Sequence, residues 1–175
     1  LLCEEGDYEV CLIYEIKNDN FLFFDGYNNY KIEFKFSVRN GNTMIFPFDT
    51  AAGKELANSS FTENGFYLDL ANSHYLTIQV RREVWTKGAD GWVKDTRFNR
   101  VVADGEQYVE EGIYTITVTN PYTDATTEKV IYVGTNSLFK AHVVTGLSLE
   151  EIEAQVAEGA TIDESGNIIP LSASI

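Results

Sequence analysis

Apolar and polar residues alternate with a period of two along much of this chain. The pattern is cleanest from Tyr30 to Arg39, where Tyr30, Ile32, Phe34, Phe36 and Val38 alternate with polar neighbours. That is the signature of a strand with one buried and one wet face. The same alternation appears at Tyr8, Val10, Leu12, Tyr14 and Ile16, at Leu76, Ile78 and Val80, and at Tyr114, Ile116 and Val118. Shorter β-rich runs at 44–48, 66–70 and 129–133 bring the count to about seven strands. Asp25-Gly26, Asn40-Gly41, Asp90-Gly91, Asp104-Gly105 and Asn120-Pro121 punctuate them as turns.

Two hairpins can be assigned a register. A three-residue Asn40-Gly41-Asn42 loop pairs Val38 with Met44, Phe36 with Phe46 and Phe34 with Phe48, which keeps all six on one face, and Pro47 marks a sheet edge or crossover. A loop over Gly88 to Gly91 pairs Lys87 with Trp92 and Trp85 with Lys94, so the two tryptophans sit diagonally on one face. One of them is expected to pack in a core. Trp92, beside Gly91, is the better candidate for exposure.

After Gly146 the pattern becomes helical. Ser148 and Glu151 form a capping box, Leu147 and Ile152 a hydrophobic staple, Leu149, Ile152 and Val156 recur at helical spacing, and Gly159 supplies the stop. This predicts a helix of about ten residues, followed by a small hairpin or extended tail to Pro170. The domain division is therefore a β-sandwich over 1–140, with a split into two small β units near 72 as the alternative, and a helix and tail over 141–175.

The segment Glu110-Glu111-Gly112-Ile113-Tyr114-Thr115-Ile116, an acid, then Gly, then Tyr entering an alternating strand, resembles the start of the penultimate strand of immunoglobulin-like domains. There the tyrosine forms a corner, its hydroxyl bonding to upstream backbone while its ring packs in the core. Ile116 stands where antibody domains carry a disulfide cysteine, so the likeness is to the cysteine-free type of bacterial extracellular domain, over roughly Trp85 to Gly134. The resemblance implies an all-β, immunoglobulin-like sandwich with Gly112 and Tyr114 in structural roles. It also implies a secreted or cell-surface module that binds, adheres or spaces beside neighbouring domains of a longer chain. Surface domains of this kind sometimes carry a buried Lys-Asn isopeptide bond, but Lys31 and Lys35 alternate away from the apolar face and none is expected there. A partial echo, Glu4-Glu5-Gly6-Asp7-Tyr8-Glu9-Val10, reads as coincidence, as distant duplication, or as the corner strand of a second such unit.

The chain has 175 residues, 13 basic against 27 acidic, for a net charge of −14, and is 44% hydrophobic. Such a chain can fold but is repelled by nucleic acid and by anionic membrane surfaces, and no apolar run is long enough for a membrane span. Cys3 and Cys11, if both lie on one extended strand, are roughly 26 Å apart, too far for a disulfide unless the chain turns back between them. Leu2 before Cys3 does not suit a lipid-attachment site, and the missing initiator methionine reads as a processed or excised piece.

His74 and His142 have no companion at metal-ligand spacing. Hydrolase and phosphate-loop signatures are absent, and a carboxylate pair of glycosidase type cannot be read from spacing alone. Asp104, Glu106, Glu110 and Glu111 could hold calcium, although their spacing is not that of an EF-hand and a solvated acidic face is the plainer reading. Trp85, Trp92 and Tyr122 are the candidate ligand-binding residues, as a stacking platform for a sugar ring or an anchor for a protein partner. The expected function is thus non-catalytic binding or spacing, with a carbohydrate-binding module as the alternative and a hydrolase behind both.

Overall fold

The computed structural model describes residues 6–19, 25–38, 43–71, 73 and 75–171. Cys3, Glu4, Glu5, His74 and the Asn40-Gly41-Asn42 turn lie outside them. The chain divides into two compact units, Leu1–Asn42 and Thr43–Ile175.

In the first unit, β1 (Gly6–Asp19) and β2 (Asp25–Val38) form an antiparallel hairpin whose register runs from Gly6 opposite Val38 to Asp19 opposite Asp25. Even-numbered apolar residues of both strands meet on one face, where Tyr14 stacks on Tyr30 with ring centroids 5.5 Å apart and Tyr8 on Phe36 at 5.6 Å. This corrects the register expected around Asn40-Gly41. Phe36 faces Tyr8 rather than Phe46, and Phe34 faces Val10 rather than Phe48. The reason is length: two fourteen-residue strands of matching alternation satisfy far more backbone hydrogen bonds than the short 44–48 run can.

The second unit is two sheets face to face, with helices on the outside. β3 (Pro47–Asp49), β5 (Phe66–Leu68) and β8 (Gln107–Tyr108) form a three-stranded sheet in the order β3-β5-β8. Pro47 is on its edge, as a residue without an N–H donor should be. β4 (Ser60–Thr62), β6 (Thr77–Gly88), β7 (Gly91–Val101), β9 (Gly112–Thr119) and β10 (Thr126–Val133) form the other sheet, in the order β4-β10-β9-β6-β7. β4 runs parallel to β10; the remaining pairs are antiparallel.

Between the sheets lies one apolar core, in which Phe66 and Tyr108 meet Val80, Tyr114, Ile116, Val118, Ile131 and Val133. Tyr114 is 1% exposed; its ring meets Phe66 edge-on at 5.2 Å and its hydroxyl donates to the Glu110 carbonyl at 2.7 Å. The corner anticipated from Gly112-Ile113-Tyr114 is present. The unit's strands come from both sides of position 72, since β4 pairs with β10 and β5 with β8.

The C-terminal elements pack on this unit. α1 (Ser137–Thr145), which the alternation gave no reason to expect, is capped by the Asn136 side chain and stopped by Gly146 in the left-handed conformation. It covers the outer face of β10 and β4, where Ile113, Tyr132 and Val143 form a second buried cluster with Phe61, Trp85 and Phe139 around it. α2 (Leu149–Ala157) begins at the expected Ser148–Glu151 capping box, with both reciprocal hydrogen bonds made. β11 (Thr161–Ile162) and β12 (Ile168–Ile169) close a small hairpin. Gly166 lies so close to Lys140 of α1 that a Cβ would stand 3.1 Å from that backbone. α1 runs across position 140, and the division into compact units falls at 42/43.

Candidate functional site

The tryptophan hairpin has the expected pairing: Lys87 faces Trp92 and Trp85 faces Lys94. Its turn is tighter than anticipated, because Gly88 and Gly91 themselves pair and only Ala89 and Asp90 remain as loop. All four side chains project from the outer face, away from the sandwich core. Neither tryptophan is in that core, which corrects the expectation that one would be; both are half-buried beneath the C-terminal helices. Trp85 meets His142 of α1 edge-on at 6.0 Å, and Trp92 meets Phe139 at 5.5 Å. Lys94 Nζ lies 5.5 Å from the centre of the Trp85 ring and Lys87 Nζ 5.7 Å from that of Trp92. Sequence spacing could place the two rings together. It could not show that a helix would come down on them.

Between this hairpin, the start of β9 and α1 is a cleft of about 360 Å³. Trp85, Trp92, Phe139 and Tyr132 supply its aromatic walls, and Glu83, Lys87, Glu111 and Asn136 its polar atoms. The acids are held in place. Glu111 Oε1 accepts the Tyr132 hydroxyl at 2.8 Å, and that same hydroxyl accepts the Asn136 N–H at 3.1 Å. Burial first, then the Glu111 carboxylate, pushes the Tyr132 phenol well above its ordinary range, so it stays a neutral donor. Glu83, 8% exposed, has Arg81 Nε at 3.3 Å and Lys94 Nζ at 3.4 Å. At the rim, Lys87 Nζ is 2.6 Å from the Glu153 carboxylate of α2 and holds that acid below the usual range. Trp92 Nε1 is buried beside Glu153 without a hydrogen bond of good geometry. These groups can grip a ring and fix its orientation.

Tyr122 is not part of this arrangement. It sits in the β9–β10 loop, 62% exposed and edge-on to Tyr75 at 5.3 Å. The cleft is at the Gly112 end of β9, so the eight-residue strand, about 23 Å at 3.3 Å per residue, separates the two.

The acidic run is likewise divided. Glu106 is bound by the Arg100 guanidinium and by the Tyr108 hydroxyl at 3.0 Å, and the Arg100 bond first of all depresses its pKa. Glu110 pairs with Arg82, Glu111 turns into the cleft, and Asp104 stays in the β7–β8 turn. Among the described residues no group of three or more His, Cys, Asp or Glu is placed to hold a metal ion. His142 Nδ1 lies 2.5 Å from the Leu147 carbonyl and fastens the end of α1 to the loop after it. Cys11 is an exposed free cysteine on β1. No helix among the described residues is long and apolar enough to cross a membrane. No protein-family model, curated protein or solved structure matches the chain.

Proposed function

We propose that this chain carries an immunoglobulin-like module of a secreted or surface-displayed bacterial protein, one that binds and does not catalyse, with the 83–94 cleft as its ligand site. The fold reading is supported by the Tyr114 corner and by strand order. With β9 and β10 as the last hairpin, β6 and β7 lie beside β9 as the third strand and its extension do, while β5 and β8 face them from the opposite sheet. Ile116, two residues after the corner tyrosine, fills the disulfide position with an aliphatic side chain. A net charge of −14 suits a module that is not meant for nucleic acid.

The observation that carries the binding reading is the convergence of four aromatic rings on one cleft whose carboxylates are already oriented by neighbours. Aromatic walls with a few fixed polar atoms suit a sugar ring, which stacks through its C–H face and hydrogen-bonds at its edge. The site is a slot between hairpin and helix, not the flat Trp92 platform a carbohydrate module would display. Each acid is engaged by a donor, an arrangement for positioning and not for proton transfer.

Trp85 and Trp92 are the chain's only tryptophans, so intrinsic fluorescence reports on the cleft directly. Titration with neutral oligosaccharides is expected to give a saturable change that Trp92→Ala abolishes, that Tyr122→Ala leaves intact and that EDTA does not alter. A second reading rests on Lys87, Lys94, Phe139 and His142 already contacting the two indoles: the tryptophans seat the helices, and the module is a spacer. A silent titration across oligosaccharides and matrix proteins, with folding unchanged, would select it.

A further inference from the structure

Among the described residues the first unit is a hairpin with one apolar face and no second layer of its own. Its register matches that of β9–β10: Gly6 pairs with Val38 as Gly112 pairs with Val133, and in each case a tyrosine two residues on begins the apolar face. On β9–β10 that face is the one covered by the three-stranded sheet. On β1–β2 the corresponding side chains are exposed: Leu12 by 50%, Phe34 by 50% and Ile16 by 46%, with Tyr14, Tyr30, Ile32 and Phe36 close behind. Isolated two-stranded hairpins are marginal in water, and an apolar strip of this kind is an interaction surface by default.

We infer that this face is the contact between two copies of the chain, each hairpin serving as the other's second layer. Charge and area both point to a second copy. In a chain of net charge −14, the face between Tyr8 and Val38 bears no charged residue, while Asp7, Glu9, Glu15, Lys31, Glu33 and Lys35 all lie on the opposite face. Two such faces can meet without opposing like charges. Four aromatic and three aliphatic side chains, each 39–50% exposed, would on stacking remove on the order of 1,500 Å² from water, within the range of stable specific interfaces. The contact is self-complementary and closes at two copies, giving a four-stranded, two-layer unit with the usual spacing of about 10 Å. It is independent of the ligand cleft, which lies wholly in the second unit.

Sedimentation of the intact 175-residue chain from 1 to 200 μM tests this. A monomer–dimer equilibrium is expected, with Phe34→Glu weakening it at least 100-fold and Ile13→Glu, on the opposite face, changing it less than threefold. Tryptophan fluorescence checks that the second unit stays folded in both variants. The inference is overturned by a monomer throughout the range, which would mean that the face is covered within one chain. It is equally overturned by open-ended association without a closed dimer, or by a dimer that survives Phe34→Glu.

Discussion

The two long hairpins, β1–β2 and β9–β10, start from the same local instruction and end in different surroundings. Each opens on Gly-x-Tyr, each pairs that glycine with the valine that ends the hairpin, and each carries that tyrosine and the alternating apolar residues after it on one face; β9–β10 has in addition Ile113 and Tyr132 on the face beneath α1. In β9–β10 the face is sealed: Ile116, Val118 and Ile131 are 0% exposed. In β1–β2, Leu12 and Phe36, at the positions of Val118 and Ile131, are 50% and 42% exposed. Alternation therefore specifies which face is to be covered, and at what register, without specifying the cover. The cover of that face of β9–β10 is supplied by β3, β5 and β8, strands of two or three residues; the 44–48 and 66–70 runs mark the first two as strands without saying what they cover.

The largest effect expected from this contrast is in packing. Ile116→Ala should cost about 3 kcal/mol, since a buried methylene set is lost and the cavity cannot collapse between two sheets. Ile32→Ala, at concentrations where the chain is monomeric, should cost well under 1 kcal/mol, because its side chain is already 39% exposed. Chemical denaturation at low protein concentration, followed through Trp85 and Trp92 for Ile116→Ala and through far-UV circular dichroism for Ile32→Ala, checks the pair. Equal costs would mean that the first hairpin has a core after all.

A smaller difference is expected at the two glycines. A Cβ at Gly112 would stand 3.0 Å from the Glu83 carbonyl and 3.1 Å from the Arg82 side chain, because β6 passes directly alongside. At Gly6 the nearest atoms are those of the Tyr8 ring at 3.6 Å, an ordinary contact. Gly112→Ala should destabilise by about 1–2 kcal/mol and Gly6→Ala by no more than a few tenths. Thermal melts of the two variants, side by side, separate a glycine that is needed for close approach from one that merely shares its motif.

What was legible in the sequence follows the same line. Local instructions were readable: the Trp85–Lys94 register, the Ser148 capping box and the Tyr114 corner each depend on residues within about ten positions of one another. Choices of partner were not. Asn40-Gly41 is good turn chemistry and drew 44–48 toward 34–38, yet β2 pairs with β1, and Phe48 faces Tyr67. α1 has no legible signal in the sequence, because Ser137–Thr145 is short, holds adjacent valines at 143 and 144 and lacks a one-sided apolar stripe. Its stability comes from Tyr132, Phe61 and Trp85 beneath it, contacts that link distant segments. The cleft was half legible for that reason: Trp85 and Trp92 were placed together, while Phe139, Tyr132 and Glu111 reach them only through tertiary packing.

The smallest effect concerns the corner itself and isolates the tyrosine hydroxyl from its ring. Tyr114→Phe keeps the edge-on contact with Phe66 and removes only the 2.7 Å bond to the Glu110 carbonyl, a loss of about 1 kcal/mol. The substitution also has a pH signature. Burial pushes the Tyr114 phenol from its ordinary 10 up to about 12. A raised folded pKa favours the protonated form, so its contribution to stability is complete below pH 10 and is lost as pH rises through about 12. In Tyr114→Phe that contribution is missing, and the stability gap between parent and variant should therefore narrow over this alkaline window while remaining constant from pH 7 to 9. Denaturation midpoints measured at half-unit intervals from pH 7 to 12 decide it. A gap that does not narrow would mean that the hydroxyl is solvated, and that the corner is held by the packing of the ring alone.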